Sequence, residues 1–218
     1  MNELLEQGRA LWVQAVDIWI AGGWCMPPIA LTALLMFALG IHVRFALRDK
    51  GFQSVPEATW RRWIEDRSGR TGPIGELLDF VGGGRSLERM AFAFHEVRTA
   101  EIAPFERDLR MMKICIAAAP LFGLLGTVTG MLATFQALAT GSGGEQTMGL
   151  VAKGISEALI TTETGLIVAL PGVFFQYQLA RRFDAYKAFL AHLETVCTQS
   201  LYRRLHRKAH GTRAAATA

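Results

Sequence analysis

The chain has 218 residues, a formal net charge of +4, and 51% hydrophobic against 19% charged residues. That apolar share is high for a water-soluble domain and low for a wholly membrane-embedded one, so neither class fits alone. The apolar residues are clustered, which points to an all-α integral membrane protein with three transmembrane helices and long helices extending into the cytoplasm. The basic residues flank those clusters, so they bear on lipid and topology and not on nucleic acid.

Residues 3–20 place Leu4, Leu5, Leu11, Trp12, Ala15, Val16, Trp19 and Ile20 at mainly helical spacings. Tryptophans on such a face suit an interfacial helix, and a plain extension of the next span is the alternative. The N-terminus carries Glu3 and Glu6 with only Arg9, so it lacks the basic region of a signal peptide. Residues 18–41 contain no charge, enough for a bilayer core of roughly 30 Å. Pro27 and Pro28 mark a helix start there. Trp24 near one end and Arg44 and Arg48 beyond the other act as interface anchors. His42 falls at the polar end.

Residues 44–113 mix thirteen Lys/Arg with eleven Asp/Glu and read as an aqueous segment. Ser68–Pro73 and Gly82–Gly84 are breaks between helical patterns. The clearest pattern runs from Ser86, a plausible N-cap, to about Lys113. The triple glycine lacks the following lysine and strand context of a phosphate loop. Residues 114–144 are again uncharged, with the helix expected to end near Thr140 and Gly141-Ser142-Gly143-Gly144 as a short connection. The third span covers residues 155–180 and is interrupted only by Glu157 and Glu163. Arg181, Arg182 and Lys187 stop it. A basic helix follows, with fraying expected after His210.

The excess of Lys/Arg after the first and third spans puts both charged portions on the cytoplasmic side and the N-terminus outside. The expected division is an N-terminal amphipathic segment over 1–25 and a first span over 26–45. A cytoplasmic helical segment covers 46–113, the second and third spans 114–180, and a cytoplasmic helix and tail 181–218.

An ionised group inside a span costs about 2.5–3.5 kcal/mol on insertion scales, so Glu157 and Glu163 call for a function or a partner. At 100° per residue, Glu157, Thr161 and Thr164 share one face, Ser156 and Glu163 a second, and Thr162 points in a third direction. A helix polar on several sides suits packing against other helices better than broad exposure to lipid. Glu163 lies roughly 12 Å into the span, and a neutral acid there either relays protons or joins helices. Glu157 is nearer the outer boundary. The second span carries Gly123, Gly126, Thr127, Thr129 and Gly130, small residues that let helices approach closely. Each threonine is open to a back-bond within its own helix. Cys25, Cys115 and Cys197 are far apart and have no zinc or redox spacing, so they read as buried thiols. The histidines sit in separate contexts, and no metal set, cofactor motif or nucleophile–base pair emerges to suggest an enzyme.

Leu121-Phe122-Gly123-Leu124-Leu125-Gly126-Thr127-Val128-Thr129-Gly130-Met131 resembles the second-span signature of the ExbB/TolQ/MotA proton-channel family. Gly154-Ile155-Ser156-Glu157-Ala158-Leu159, with Thr162, Gly165-Leu166 and Ala169-Leu170-Pro171, resembles its third-span signature. The likeness covers residues 88–182, and the three-span layout is more similar to ExbB or TolQ than to the four-span flagellar stator protein. It implies an inner-membrane, proton-driven motor subunit that forms a homopentamer around a single-span ExbD- or TolR-like partner. The partner's membrane aspartate carries protons, and the assembly energises a TonB- or TolA-like protein. The resemblance further implies that Thr127 and Thr162 line the pore and that Glu157 is the family's third-span glutamate. Glu163 departs from the pattern, since the best-known members hold a small apolar residue there. A purely structural membrane scaffold is the competing reading.

Overall fold

The computed structural model describes residues 2–67, 69–83, 86–141 and 144–216. Six α-helices are present among them: α1 (Asn2–Ala21), α2 (Met26–Asp49), α3 (Glu57–Glu65), α4 (Gly72–Gly82), α5 (Leu87–Thr140) and α6 (Glu145–Ala216). A three-residue 3₁₀ turn, Gly23–Cys25, leads into α2. No strand occurs among the described residues, as the helical periodicity demands.

Several helix ends follow from local chemistry. Pro27 and Pro28 occupy the first turn of α2, where their missing N–H groups cost nothing. Gly51, at φ +60°, follows its last turn and donates its N–H to Arg48 O at 3.1 Å. Ser86 caps α5 by accepting the Arg89 N–H at 3.3 Å.

Two segment boundaries drawn from composition, after residues 113 and 180, fall inside continuous helices. Residues 86–113 and the second span form one uninterrupted helix of 54 residues, and residues 145–216 form another of 72. A span needs only about 20 residues, so each helix carries more than twice that length. The change from apolar to charged composition alters what surrounds a helix without breaking its hydrogen-bond ladder, so the long helices expected from the sequence run on well beyond the apolar spans. α6 also continues past His210 to Ala216. The expectations for the side chains of Leu4, Leu5, Leu11, Trp12 and His210, and for Ser68, Gly84, Ser142 and Gly143, lie outside the described residues.

The chain divides into two compact units. The first comprises Met1–Gly40 and Arg110–Tyr177 and contains the most apolar stretches of three helices long enough to cross a membrane. Only 22–28% of each such stretch is buried within the chain, so most of its apolar surface remains for lipid or for other protein. Its interior is built from Cys25, Met26, Ile29 and Met36 with Ala119, Ala158 and Ala169. Small residues let the backbones come together where no hydrophobic drive separates lipid from helix.

The second unit comprises Ile41–Leu109 and Gln178–Ala218. Here Trp60, Ile74, Leu78 and Val81 of α3 and α4 are buried with Phe94, Phe105, Phe183, Leu190 and Leu193. Trp60 meets Phe189 edge-on at 6.1 Å, and Phe105 lies 5.8 Å from Phe183. The Arg70 side chain, 5% exposed, donates to Trp63 O at 2.8 Å and to Asp79 at 2.5 Å, tying α3 to α4. Lys50 pairs with Glu101 at 2.8 Å, and Tyr186 donates its hydroxyl to the same carboxylate. Arg98 reaches Glu194 at 2.8 Å across α5 and α6. This is the packing of a water-facing bundle, with charges paired around an aromatic core.

Candidate functional site

Two of the four candidate residues, Thr127 and Thr162, lie together where α5 and α6 run antiparallel in the first unit. The helices approach at glycines whose positions leave no room for a side chain. A Cβ at Gly123 would lie 2.9 Å from Thr161 O, one at Gly130 2.6 Å from Gly154 O, and one at Gly165 2.8 Å from Ala119 O. These neighbours are backbone atoms and cannot swing aside. The second-span glycines Gly123 and Gly130, which the sequence offered as contact points, are therefore sites where the backbones of the two helices meet closely.

Polar side chains occupy this seam. Thr161 is fully buried, and its Oγ1 donates among Ala158 O at 3.0 Å, Glu157 O at 3.1 Å and Gly123 O at 3.4 Å. Thr162, half-buried, reaches Gly123 O of α5 at 3.1 Å and Ala158 O of its own helix at 3.2 Å. Thr127 is half-buried and donates to Leu124 O at 2.6 Å. Gly123 lies four residues before Thr127, so Thr162 and Thr127 occupy consecutive turns of one seam. Both hydroxyl protons are committed to backbone carbonyls, leaving the oxygens as acceptors. Thr129 back-bonds likewise to Gly126 O at 3.0 Å.

Glu157 is half-buried at another corner of the same unit. Its carboxylate lies against Gly23 of the 3₁₀ turn, in the space a side chain at that position would fill. The Cys25 thiol, 1% exposed, is beside Thr129 and Glu157. The Glu157 carboxylate has no hydrogen-bond or ion-pair partner among the described residues.

Glu163 does not join this cluster. It is exposed, on a stripe of α6 shared with exposed Leu159, Leu166, Ile167 and Leu170. It too lacks a polar partner among the described residues. The helical-wheel separation of Glu163 from Glu157 and Thr162 is thus realised as two different surroundings. Thr161, Gly23, Cys25 and Thr129 were not singled out as site residues from sequence. The signal for Thr161 was its spacing of four from Glu157; for the others nothing local marks a contact across more than a hundred residues.

The described residues contain no group of three or more His, Cys, Asp or Glu able to hold a metal ion. The arrangement instead offers acceptor oxygens, titratable carboxylates and tightly apposed helices.

Residues 76–191 match the MotA/TolQ/ExbB proton channel family. The chain is 43% identical over 86 residues to a Synechocystis protein named biopolymer transport protein ExbB-like 1, covering 39% of this chain and 34% of that one. It is 36% identical over 116 residues to the Tol-Pal system protein TolQ of Haemophilus influenzae, covering 51% and 46% respectively. It is 36% identical over 96 residues to the biopolymer transport protein ExbB of Xanthomonas campestris pv. campestris, covering 43% and 37%. The matched segments thus span less than half the length of each of these relatives. The family match extends over more than half of this chain, and the chain belongs to the MotA/TolQ/ExbB proton channel family.

Proposed function

We propose that this member of the proton channel family is the multi-spanning subunit of a proton-driven motor in a bacterial inner membrane. In this reading it is a transport subunit and not an enzyme. It forms a homopentamer around an ExbD- or TolR-like single-span partner that supplies the membrane aspartate. Proton flow then energises a TonB-like protein for outer-membrane transport. The N-terminus faces the periplasm; residues 46–113 and 181–218 lie in the cytoplasm.

The observation that carries this reading is the seam of Thr127, Thr161 and Thr162 between α5 and α6. Thr127 and Thr162, half-buried and with their hydrogens held by backbone carbonyls, keep lone pairs as acceptors, which suits proton or water contact near a partner carboxylate, while buried Thr161 holds the helices together. Thr127, Thr162 and Glu157 are assigned to the proton path. Glu163 is assigned a separate role on the apolar stripe of α6. An ionised carboxylate there costs about 2.5–3.5 kcal/mol against lipid, so cover by another protein surface suits it better.

The test is co-purification of the full chain with a single-span protein bearing a membrane aspartate, followed by proton flux in proteoliposomes. Thr162→Val and Glu157→Gln should each lower flux while leaving the oligomer intact on size exclusion. Unchanged flux in both would remove these residues from the path. Absence of such a partner, or transport that survives a protonophore, would reject the motor reading itself. Glu163→Gln divides relay from helix joining: lost flux with intact assembly supports a relay, and lost assembly supports a joint.

A second reading, a TolQ-like cell-envelope motor, rests on the 36% identity over 116 residues to the TolQ of Haemophilus influenzae. It shares the membrane mechanism and differs in the driven protein, so identification of the co-purified transducer separates the two. A non-conducting scaffold predicts flux equal to that of empty vesicles.

A further inference from the structure

Gly23 stands out because two independent features meet at it. Its backbone is left-handed, with φ +63°, a conformation that L side chains rarely adopt. A Cβ there would also collide with the Glu157 carboxylate of α6. Strain and space both exclude a side chain, although only the second concerns a titratable group in the membrane-spanning unit.

The surroundings show what the turn does. A Cβ at Gly22 would meet Met26 and, at 3.3 Å, Ile160 of α6, so the turn lies against α6. Cys25, two residues on, is buried beside Thr129 of α5. The lead-in to α2 thereby touches α5 and α6 together. Among the described residues Glu157 has no hydrogen-bond donor to fix it, so contact with this turn is what restricts its carboxylate. The obstacle to a methyl at position 23 is the mobile end of Glu157 and not a backbone atom, so a side chain there displaces the carboxylate before it disrupts the helices.

We infer that Gly23 is a positioning residue for Glu157: the glycine turn before α2 closes over the carboxylate and sets where it sits beside Thr129 and the α5–α6 seam. The inference rests on the assignment of Glu157 to the proton path only for its functional meaning, and its geometry is testable without a partner protein.

The experiment uses the full chain in detergent micelles with dicyclohexylcarbodiimide as the probe, read by mass spectrometry at Glu157 and at Glu163. In the parent protein Glu157, lying under the turn, labels more slowly than exposed Glu163. Gly23→Ala should raise Glu157 labelling several-fold and leave Glu163 labelling unchanged. Gly72→Ala is the strain control, since Gly72 has φ +71° with nothing within 4 Å of an added Cβ; it should change neither rate. If Gly23→Ala lowers the folded yield, adding Glu157→Asp should restore it, because the shorter side chain withdraws from the new methyl. Unchanged Glu157 labelling in a folded Gly23→Ala protein, or no recovery in the double variant, would overturn the inference. Flux that persists in Glu157→Gln would instead defeat the proton-path assignment and leave the labelling result standing.

Discussion

Replacing Gly130 with alanine isolates the close approach of α5 and α6 as a measurable quantity. Glycine to alanine inside a helix gains about 0.8–1 kcal/mol from backbone propensity alone. At Gly130 the added Cβ would sit 2.6 Å from Gly154 O, 2.9 Å from Ala158 Cβ and 3.1 Å from Ala158 N. None of these is the far end of a flexible side chain, so the helices must separate, at an overpacking cost of about 1–3 kcal/mol. The two terms leave Gly130→Ala between neutral and about 2 kcal/mol destabilised. Gly149, in α6, has nothing within 4 Å of an added Cβ and supplies the control. Gly149→Ala keeps the propensity gain without the clash. The difference between the variants is therefore the overpacking cost. At about 2–4 °C per kcal/mol for a chain of this size, their melting temperatures should differ by several degrees, with Gly130→Ala the lower. Thermal unfolding in detergent, followed by size exclusion and tryptophan fluorescence, measures this directly. Equal shifts in the same direction would refute the view that Gly130 is small because backbone meets backbone there.

Other outcomes follow from the second unit, beyond the apolar stretch that ends at Ala180. Burial and the adjacent Glu101 carboxylate push the Tyr186 phenol well above its usual range. The folded chain holds this proton more tightly than the unfolded one, whose tyrosine titrates near 10; the stabilisation is complete below about pH 10 and is lost as pH rises further. Tyr186→Phe should flatten that alkaline loss and cost about 1–2 kcal/mol at neutral pH, read by circular dichroism against urea and pH. Burial raises the Cys197 thiol to about 11, so in a variant keeping only this cysteine, maleimide at pH 7.5 should label it slowly until the protein unfolds; fast labelling of folded protein would contradict its burial. His192, at 3.1 Å, and Arg61 hold the Glu57 carboxylate below its usual range, which favours the α3–α6 contact above the unfolded pKa and weakens it as pH falls through the folded one. Glu57→Gln should abolish that acid-side change in hydrogen exchange of α3. Arg70→Ala strips Trp63 O and Asp79 of their donor and should destabilise α3 and α4 by about 1–3 kcal/mol, visible as faster proteolysis between them.

Much of the architecture was legible in the linear chain because its signals are local. Uncharged runs of 24 and 31 residues, and a third broken by two glutamates, identify the three stretches long enough to cross a bilayer. Ser86 announced a helix start, and proline at positions 27 and 28 announced another. The ordered second- and third-span motifs, with Thr127 and Thr162, identified the family because each motif lies within a few helical turns. Side-chain periodicity also separated Glu157 from Glu163, since angle around a helix follows from residue number alone.

Contacts between distant segments could not be read this way. Nothing near Gly123 in the sequence says that its carbonyl accepts the Thr162 hydroxyl, 39 residues away. Nor does a Gly-Gly pair before two prolines disclose that it closes over a carboxylate more than 130 residues later. Composition marked where the surroundings of a helix change and not where the helix ends, because a backbone ladder continues whether its side chains meet lipid or water. The sequence by itself determined which segments are helical, which can enter a membrane and which family they belong to, since hydrophobicity and periodicity are properties of neighbouring residues. Only the tertiary structure decided that Thr161 is sealed in the seam, that Glu157 rests under the Gly23 turn and that Glu163 stands alone on an apolar stripe. Those surroundings arise from how helices approach one another, which side-chain volume and backbone packing set together.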